Sequence, residues 1–403
     1  MAAITQELSQ ANPRAITMRW IINAREDLIW FIGSVFSSYA LLLLYVSGLV
    51  PLVPMVALWA ILIDAPHVFG TFSRTYFDRT ERHNRARLLW GSLLFFIVGP
   101  VMVLAGAGFV FFFLAALWAY YHLVKQHYGF MVLYKKKNGD LAAVDNAVDR
   151  LLLLFAFNYP FVAFIAQDAE AMSRVPTFLQ GSVNALAMFL LAGTVILGVV
   201  WVGRQIQRAM IGLPLNVPKY LLLAAAIPMH WIVLLTPMPH KPIAIVAILT
   251  IFHNLQYHRL IWFHNQKYTA RRSLAGRFES SPERQSLSAR ISGGAAEHRE
   301  VSDSGERSDL RKKYGAAELI SRRLLFYIAF GIIFGLIYQG PRQYLGYVSF
   351  NNGDTAGGVT SQSFATQLAV SFLWGYAFIH YYLDSKIWRV RRDPSVGEAL
   401  KMA

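Results

Sequence analysis

Long apolar runs, separated by short polar or basic segments, dominate the pattern of this chain. Ten of these runs approach or exceed the roughly 20 residues that a helix needs to cross about 30 Å of hydrocarbon. They lie at residues 28–50, 52–72, 88–105, 109–134, 151–167, 181–202, 220–237, 242–263, 323–340 and 362–383. The pattern therefore predicts an all-α, polytopic integral membrane protein with about ten transmembrane helices in one bundle.

The order of these runs suggests three segments along the chain. Residues 1–267 would hold helices one to eight, and residues 319–403 would hold helices nine and ten with a short cytosolic tail. Residues 268–318 are rich in Ser, Arg, Glu and Gly and contain too few apolar residues to fold alone. We expect a flexible basic cytosolic loop there, ending in a short interfacial helix near residues 310–319.

Lysine and arginine are distributed very unevenly between the two ends of the predicted helices. If both termini are cytosolic, the cytosolic segments hold 33 of the 38 basic residues, and only Arg174, Lys241 and Arg342 lie outside. Positive charge of this kind marks the cytosolic side of membrane proteins. The formal net charge of +15 is then explained by loops that face an anionic lipid leaflet, without a nucleic-acid partner.

Four of the runs end in similar segments that contain histidine and precede basic residues. These segments are residues 63–69, 121–128, 252–259 and 379–386. Histidine and aspartate are expensive inside a membrane and are usually functional there. All four segments end helices that would run from outside to inside, so we expect their polar side chains to converge in one layer near the cytosolic ends and to form a metal site.

Two of the segments pair a histidine with an aspartate on one helix face. Asp64 and His67 are three residues apart, and His380 and Asp384 are four apart. Residues at these spacings are neighbours on a helix surface. Each aspartate could therefore be a metal ligand or could orient the histidine beside it.

The other two segments place their histidines five residues apart. His122 and His127, and likewise His253 and His258, are separated by about 140° around a regular helix. They could address different ions of a dinuclear centre, or one of each pair could be a ligand and the other could support it. A local π-bulge would instead bring both onto one face.

Gln126 and Tyr257 lie four residues after the first histidine of these two segments. They could be weak ligands, hydrogen-bond partners, or groups that hold an imidazole in one tautomer. We take Tyr257, with Asp64 and Asp384, as a candidate catalytic residue.

The chemistry available to this layer is that of imidazole and carboxylate. The chain has no cysteine, so a thiolate site or an iron–sulfur cluster is excluded. Imidazole with carboxylate suits iron, zinc, copper or manganese. The candidate metal ligands are Asp64, His67, His122, His127, His253, His258, His380 and Asp384.

The two boxes His122-Leu-Val-Lys-Gln-His127 and His253-Asn-Leu-Gln-Tyr-His258 resemble those of the membrane-bound, histidine-box non-haem diiron enzymes. That group includes fatty-acid desaturases, hydroxylases and alkane monooxygenases. The resemblance implies two Fe ions, dioxygen, an electron donor from the cytosol, and reaction at a C–H bond of a lipid or other apolar substrate. The resemblance also implies that the four histidines of these boxes are metal ligands. The chain differs from the group in lacking HxxHH boxes, in having more spans, and in supplying aspartates.

Two other classes of function are compatible with the same residues. One is a zinc-dependent intramembrane lipid hydrolase, since the ceramidase and adiponectin-receptor group also places His and Asp near cytosolic helix ends. Stoichiometric zinc and indifference to dioxygen would identify it. The other is a transporter or a haem-binding electron-transfer protein, which a haem absorption band would reveal. Ionisable residues are nearly absent from the outer halves of the spans, which disfavours a path through the membrane.

Overall fold

The computed structural model describes residues 16–269, 305, 307–351, 362–389, 394–400 and 402, and these residues are mainly helical. We number the ten long helices of this part in chain order. They are α1 (Ala24–Val46), α2 (Leu52–Arg74), α3 (Ala86–Leu104), α4 (Gly108–Lys137), α5 (Ala143–Gln167), α6 (Thr177–Met210), α7 (Val217–Leu235), α8 (Lys241–Asn265), α9 (Leu324–Asn351) and α10 (Phe364–Ile387).

Shorter elements connect or flank the long helices. Two-residue strands β1 (Ile16–Thr17) and β2 (Leu215–Asn216) pair in parallel. Short helices cover Arg79–Asn84, Ala169–Ser173, Ala316–Ser321 and Pro394–Ala399, and a 3₁₀ turn covers Gln266–Tyr268. The prediction of an all-α fold is confirmed, because the strands among the described residues form only this pair of two residues each.

Eight of the long helices in the described residues are long and apolar enough to cross a membrane: α1 to α7, and α9 over Leu324–Val348. Large apolar side chains on them are exposed, such as Phe36 at 72% and Phe178 at 83%, as expected for surfaces that face lipid. The chain therefore fits a multi-pass membrane protein. Helices α8 and α10 are as long but carry several polar residues of the histidine segments. A count of ten spans stays a prediction.

The described residues pack into two compact units. The first unit comprises the described residues within 1–51 and 116–253, and the second comprises those within 52–115 and 254–403. Helices α4 and α8 each begin in one unit and end in the other. The three segments expected from the sequence stay a prediction.

Glycine allows a close helix crossing in the second unit. A Cβ atom at Gly335 of α9 would overlap the carbonyl oxygen of Ile61 in α2, and one at Gly331 would lie 2.8 Å from Cβ of Pro66. These two glycines form a GxxxG pattern, which lets helix backbones approach closely in membranes. The crossing lies against a π-helical segment of α2 at Ala60–Asp64. It therefore fixes the turn from which Asp64 and His67 project.

Glycine also positions α10, the helix that carries His380. A Cβ atom at Gly375 would overlap Phe96 of α3, and one at Gly99 would lie 2.6 Å from the carbonyl oxygen of Ser371. Helix α3 turns directly into α4 at Gly106, whose φ of 75° is readily adopted by glycine.

Buried ion pairs cross-link the first unit at the ends of α4, α5, α6 and α7. The side chains of Lys135 and Lys219 are fully buried, and both contact the carboxylate of Asp149. Lys219 Nζ also lies 2.7 Å from Asp140 Oδ2, and Arg208 lies 2.9 Å from Asp140 Oδ1. Lys135, Arg208 and Lys219 are among the 33 basic residues that the charge pattern assigns to cytosolic segments. In the structure, these three residues are internal links.

The structure describes only part of the predicted loop at 268–318, since residues 270–304 and 306 lie outside the described residues. Residues 307–314 are helical, and a second helix covers Ala316–Ser321. Between them, Gly315 adopts a φ of 68° and forms a bridge with Asp78. The expected helix near 310–319 is therefore present but broken at Gly315, and Ala317 N–H donates to the carbonyl of Phe77 at 3.1 Å.

Candidate metal centre

The second unit brings His67 of α2 and His380 of α10 together. Both side chains are buried, and their ring centres are 4.5 Å apart at 73°. Each residue offers a ring nitrogen within 4.8 Å of that of the other. When two imidazoles bind one ion, the distance between their ring centres depends on the N–metal–N angle. It is roughly 4.5 Å for an angle of 90° and roughly 5.3 Å for a tetrahedral angle. The pair therefore fits two ligands of one metal ion.

Hydrogen bonding fixes the tautomer of His380. The hydroxyl of Thr71 donates its only proton to Asp384 Oδ1 at 2.6 Å. The same hydroxyl oxygen lies 2.7 Å from Nδ1 of His380 and 2.7 Å from the hydroxyl of Tyr257. While the Thr71 proton is given to Asp384, Nδ1 of His380 is the donor to Thr71. The lone pair of the imidazole is then on Nε2, the atom with which it can bind a metal. Such outer contacts of a ligating histidine orient it and raise its basicity.

Asp384 uses its Oδ1 atom in hydrogen bonds to neighbouring side chains. Its Oδ1 accepts from Thr71 and, at 2.7 Å, from the hydroxyl of Tyr257. The distance from Oδ1 to Nδ1 of His380 is 3.8 Å, so the carboxylate acts on the histidine through Thr71. Of the two roles that the sequence leaves open for Asp384, the geometry favours the orienting one.

Tyr257 joins this network to the histidine pair. Its ring lies edge-on to His67, with centres 4.5 Å apart, and its hydroxyl is 3.4 Å from the indole nitrogen of Trp388. Tyr257 is buried, and its proton is directed at Asp384. A tyrosine in this position can hold or exchange a proton beside the metal ligands.

His258 uses both ring nitrogens within the second unit. Its Nε2 donates to the carbonyl of Ile63 at 3.0 Å, and its Nδ1 lies 3.2 Å from the hydroxyl of Tyr327. Ile63 belongs to the π-helical segment of α2, four residues before His67. The sequence places His258 among the ligands, but these contacts favour a positioning role for it.

Asp64 ends the π-helical segment and is partly buried. Its two carboxylate oxygens accept from side-chain amides, Oδ1 from Asn254 at 3.3 Å and Oδ2 from Gln339 at 3.1 Å. These contacts fix the direction of the carboxylate without using all of its lone pairs. Both roles predicted for Asp64, ligand or orienting group, stay predictions.

A second group of histidines lies within the first unit. We call His122, His127, His230 and His253 the four-histidine cluster. The ring centres of His122 and His253 are 5.3 Å apart, those of His127 and His253 are 6.3 Å apart, and those of His127 and His230 are 5.3 Å apart. All four side chains are buried.

The structure has no π-bulge between His122 and His127 in α4. Helix α4 is a regular α-helix over both residues, and the π-helical segments among the described residues are Asp27–Ile32 and Ala60–Asp64. Gln126 donates its amide to the carbonyl of His253 at 2.8 Å and so acts as a link between helices rather than as a tautomer holder. The expectation that α2, α4, α8 and α10 share one layer stays a prediction.

Sequence reasoning missed two residues, Thr71 and His230. Thr71 lies four residues after His67, at a spacing that brings a side chain onto the same helix face. His230 lies near the middle of its helix, two residues after Pro228, and outside the four histidine segments. No spacing rule joins it to His127 on a different helix.

Two further histidines lie outside these groups. His83 is exposed on the short helix Arg79–Asn84. His264 is buried, and its ring packs edge-on against Trp388 and Tyr268.

No protein-family model, curated protein or solved structure matches this chain. The function must therefore be argued from the buried histidines and their contacts.

Proposed function

We propose that the protein is a membrane-embedded metalloenzyme, a dinuclear non-haem iron oxygenase, hydroxylase or desaturase that acts on a lipid-soluble substrate. The observation that carries the proposal is the buried His67–His380 pair, in which Thr71 orients His380. A histidine whose Nε2 lone pair is presented inside an apolar helical protein is suited to a metal ion.

The donor set narrows the choice of metal. Neutral imidazoles with nearby carboxylates and no thiolate suit iron and zinc. Bound iron would activate dioxygen for attack on a C–H bond of the substrate. We favour iron because the HxxxxH boxes resemble those of diiron enzymes.

The side chains of the second unit have distinct roles in this proposal. His67 and His380 bind the ion, Thr71 and Asp384 hold His380 in place, and Tyr257 holds a proton that Asp384 can accept. Buried apolar residues of the same core exclude water and provide an environment for an apolar substrate. They include Val68, Phe69, Phe72, Ile379 and Leu383.

The proposed orientation places both termini in the cytosol, as the distribution of basic residues suggests. Reductant would then arrive at a strongly basic face, which attracts an acidic electron-donor protein. Reporter fusions after residues 138 and 356 test this orientation. Cytosolic and exterior signals, respectively, support it, and the reverse result rejects it.

Dioxygen uptake tests the chemistry. Purified protein, loaded with ferrous iron and supplied with a lipid extract and a chemical reductant, should consume dioxygen, and His380→Ala should not. The control is His240→Asn, because His240 lies in the turn between α7 and α8, at a φ of 43° that asparagine tolerates. Stoichiometric zinc with turnover that ignores dioxygen would replace this proposal by the lipid-hydrolase alternative.

A further inference from the structure

His127 and His230 of the first unit share an unusual arrangement. Each ring is fully buried, and each Nδ1 lies 2.9 Å from a backbone carbonyl four residues earlier, that of Leu123 or Ala226. A carbonyl can only accept, so both Nδ1 atoms carry protons. Because a buried imidazole without a charged partner is neutral, both lone pairs are on Nε2.

The two Nε2 atoms have no hydrogen-bond partner among the described residues. Buried polar groups are nearly always satisfied, so two such atoms on neighbouring rings call for an explanation. Packing alone does not supply it. His230 stacks on Phe157 at 3.8 Å, but a phenylalanine could fill that space without leaving a lone pair in an apolar interior.

The distance between the rings fits a shared ion. Their centres are 5.3 Å apart at 86°, close to the roughly 5.3 Å expected for two imidazoles at a tetrahedral angle. Donation of Nδ1–H to a backbone carbonyl is also the usual second contact of a metal-binding histidine. The distance between the rings and the hydrogen bonds of Nδ1 therefore both favour metal ligation by His127 and His230.

We propose that His127 and His230 are ligands, through Nε2, of a divalent transition-metal ion bound within the first unit. Ions that favour imidazole, such as Fe²⁺, Co²⁺ and Zn²⁺, are the class expected. His253, with its ring centre 6.3 Å from that of His127, is a further imidazole of the same cluster. The identity of the ion as iron rests on the proposed function, but its binding by these two residues does not.

Titration with Co²⁺ tests the site without turnover, iron or dioxygen. The full-length protein in detergent is stripped with a chelator and titrated anaerobically, and its visible absorption reports the coordination of Co²⁺. His127→Ala and His230→Ala should each lose one equivalent of tightly bound Co²⁺ relative to wild type. His240→Asn should lose none, and His67→Ala should retain the equivalent bound in the first unit.

His230→Phe guards against loss of fold, because it keeps a ring against Phe157 and removes the two ring nitrogens, of which Nδ1 only donates to the backbone carbonyl of Ala226. It should keep wild-type helix content and melting temperature and still lose the equivalent. Added imidazole should restore Co²⁺ binding to His230→Ala. If His127→Ala and His230→Phe both bind as much Co²⁺ as wild type, the inference is wrong. If these variants lose Co²⁺ but the protein neither binds iron nor consumes dioxygen, the proposed function fails and this site stands.

Discussion

The hydroxyl oxygen of Thr71 lies 2.7 Å from Nδ1 of His380. These residues belong to α2 and α10 and are 309 positions apart in sequence. The contact decides which nitrogen of His380 can bind a metal, because the same hydroxyl donates its proton to Asp384. A single side chain thus connects the buried carboxylate with the histidine pair.

Replacing Thr71 by valine removes this hydroxyl while keeping the shape of the side chain. His380 then loses the acceptor for its Nδ1 proton, and we expect metal affinity to fall by roughly 10–100-fold. Competition titration of the apoprotein with a chromophoric chelator measures the affinity. Thr71→Ser keeps the hydroxyl and should stay close to wild type. Equal metal affinities for the valine variant and wild type would show that Thr71 does not support metal binding by His380.

Asp384→Asn tests whether this residue orients His380 or binds the metal itself. Asparagine can still accept hydrogen bonds from Thr71 and Tyr257 through its carbonyl oxygen, but it carries no charge. We expect the variant to keep the wild-type number of bound metal ions and to lose turnover rate. Metal analysis and rate measurement on the same preparation separate the two quantities. Loss of the metal along with the rate would make Asp384 a ligand.

Regular features of the fold were predictable from the sequence because hydropathy is a local property. The apolar runs indicate the long helices, and the two glycines at 106 and 108 mark the reversal between α3 and α4. The GxxxG pattern of Gly331 and Gly335 is also visible in the sequence, but its partner helix is not. Which helices cross depends on packing between distant segments.

The candidate site was predictable in its residue types but not in its contacts. The spacing of His380 and Asp384 indicates a shared helix face, but Thr71 between them comes from another helix. The role of His258 depends on a carbonyl in the π-helical segment of α2, which no spacing rule reveals. The contact of His230 with His127 depends on the packing of α7 beside α4, which the sequence does not reveal.

Gly335→Ala tests the close crossing of α2 and α9. The added methyl group would overlap the carbonyl oxygen of Ile61, and the backbone would have to shift. Overpacking of this kind costs about 1–3 kcal/mol, so the melting temperature in detergent should fall. The matched control is Gly340→Ala on the same helix, where an added Cβ meets no atom within 4 Å. That change should be neutral or stabilising by up to about 1 kcal/mol. Equal melting temperatures for the two variants would contradict the crossing.

The buried ion pairs of the first unit predict a dependence of stability on pH. Burial is the largest effect on Asp140 and raises its pKa, but the charges of Lys219, Lys135 and Arg208 outweigh it and hold the pKa below the usual 3.8. A carboxyl whose pKa is lower in the folded state stabilises the fold above its unfolded pKa of about 3.9. That contribution is lost as the pH falls through the folded pKa. Melting temperature should therefore drop below about pH 4.

Asp140→Asn isolates this contribution. The variant leaves Lys219 without one of its carboxylate partners, and breaking a buried pair costs about 3–5 kcal/mol near neutral pH. Its melting temperature should also depend less on pH below about pH 4 than that of wild type. The control is Asp309→Asn, since Asp309 is exposed, and its curve should follow wild type. If the melting temperature of the variant changes with pH in parallel with that of wild type at every pH, Asp140 is not the cause of the pH dependence.

Metal analysis of the purified protein tests the central claim most directly. We expect about two equivalents of iron per chain in wild-type protein, a lower iron content in His67→Ala and His380→Ala, and wild-type content in the His240→Asn control. Less than about one equivalent of iron in wild type, with another metal or none bound, would contradict the dinuclear iron proposal. Wild-type iron content in both His67→Ala and His380→Ala would contradict the assignment of this pair as its ligands.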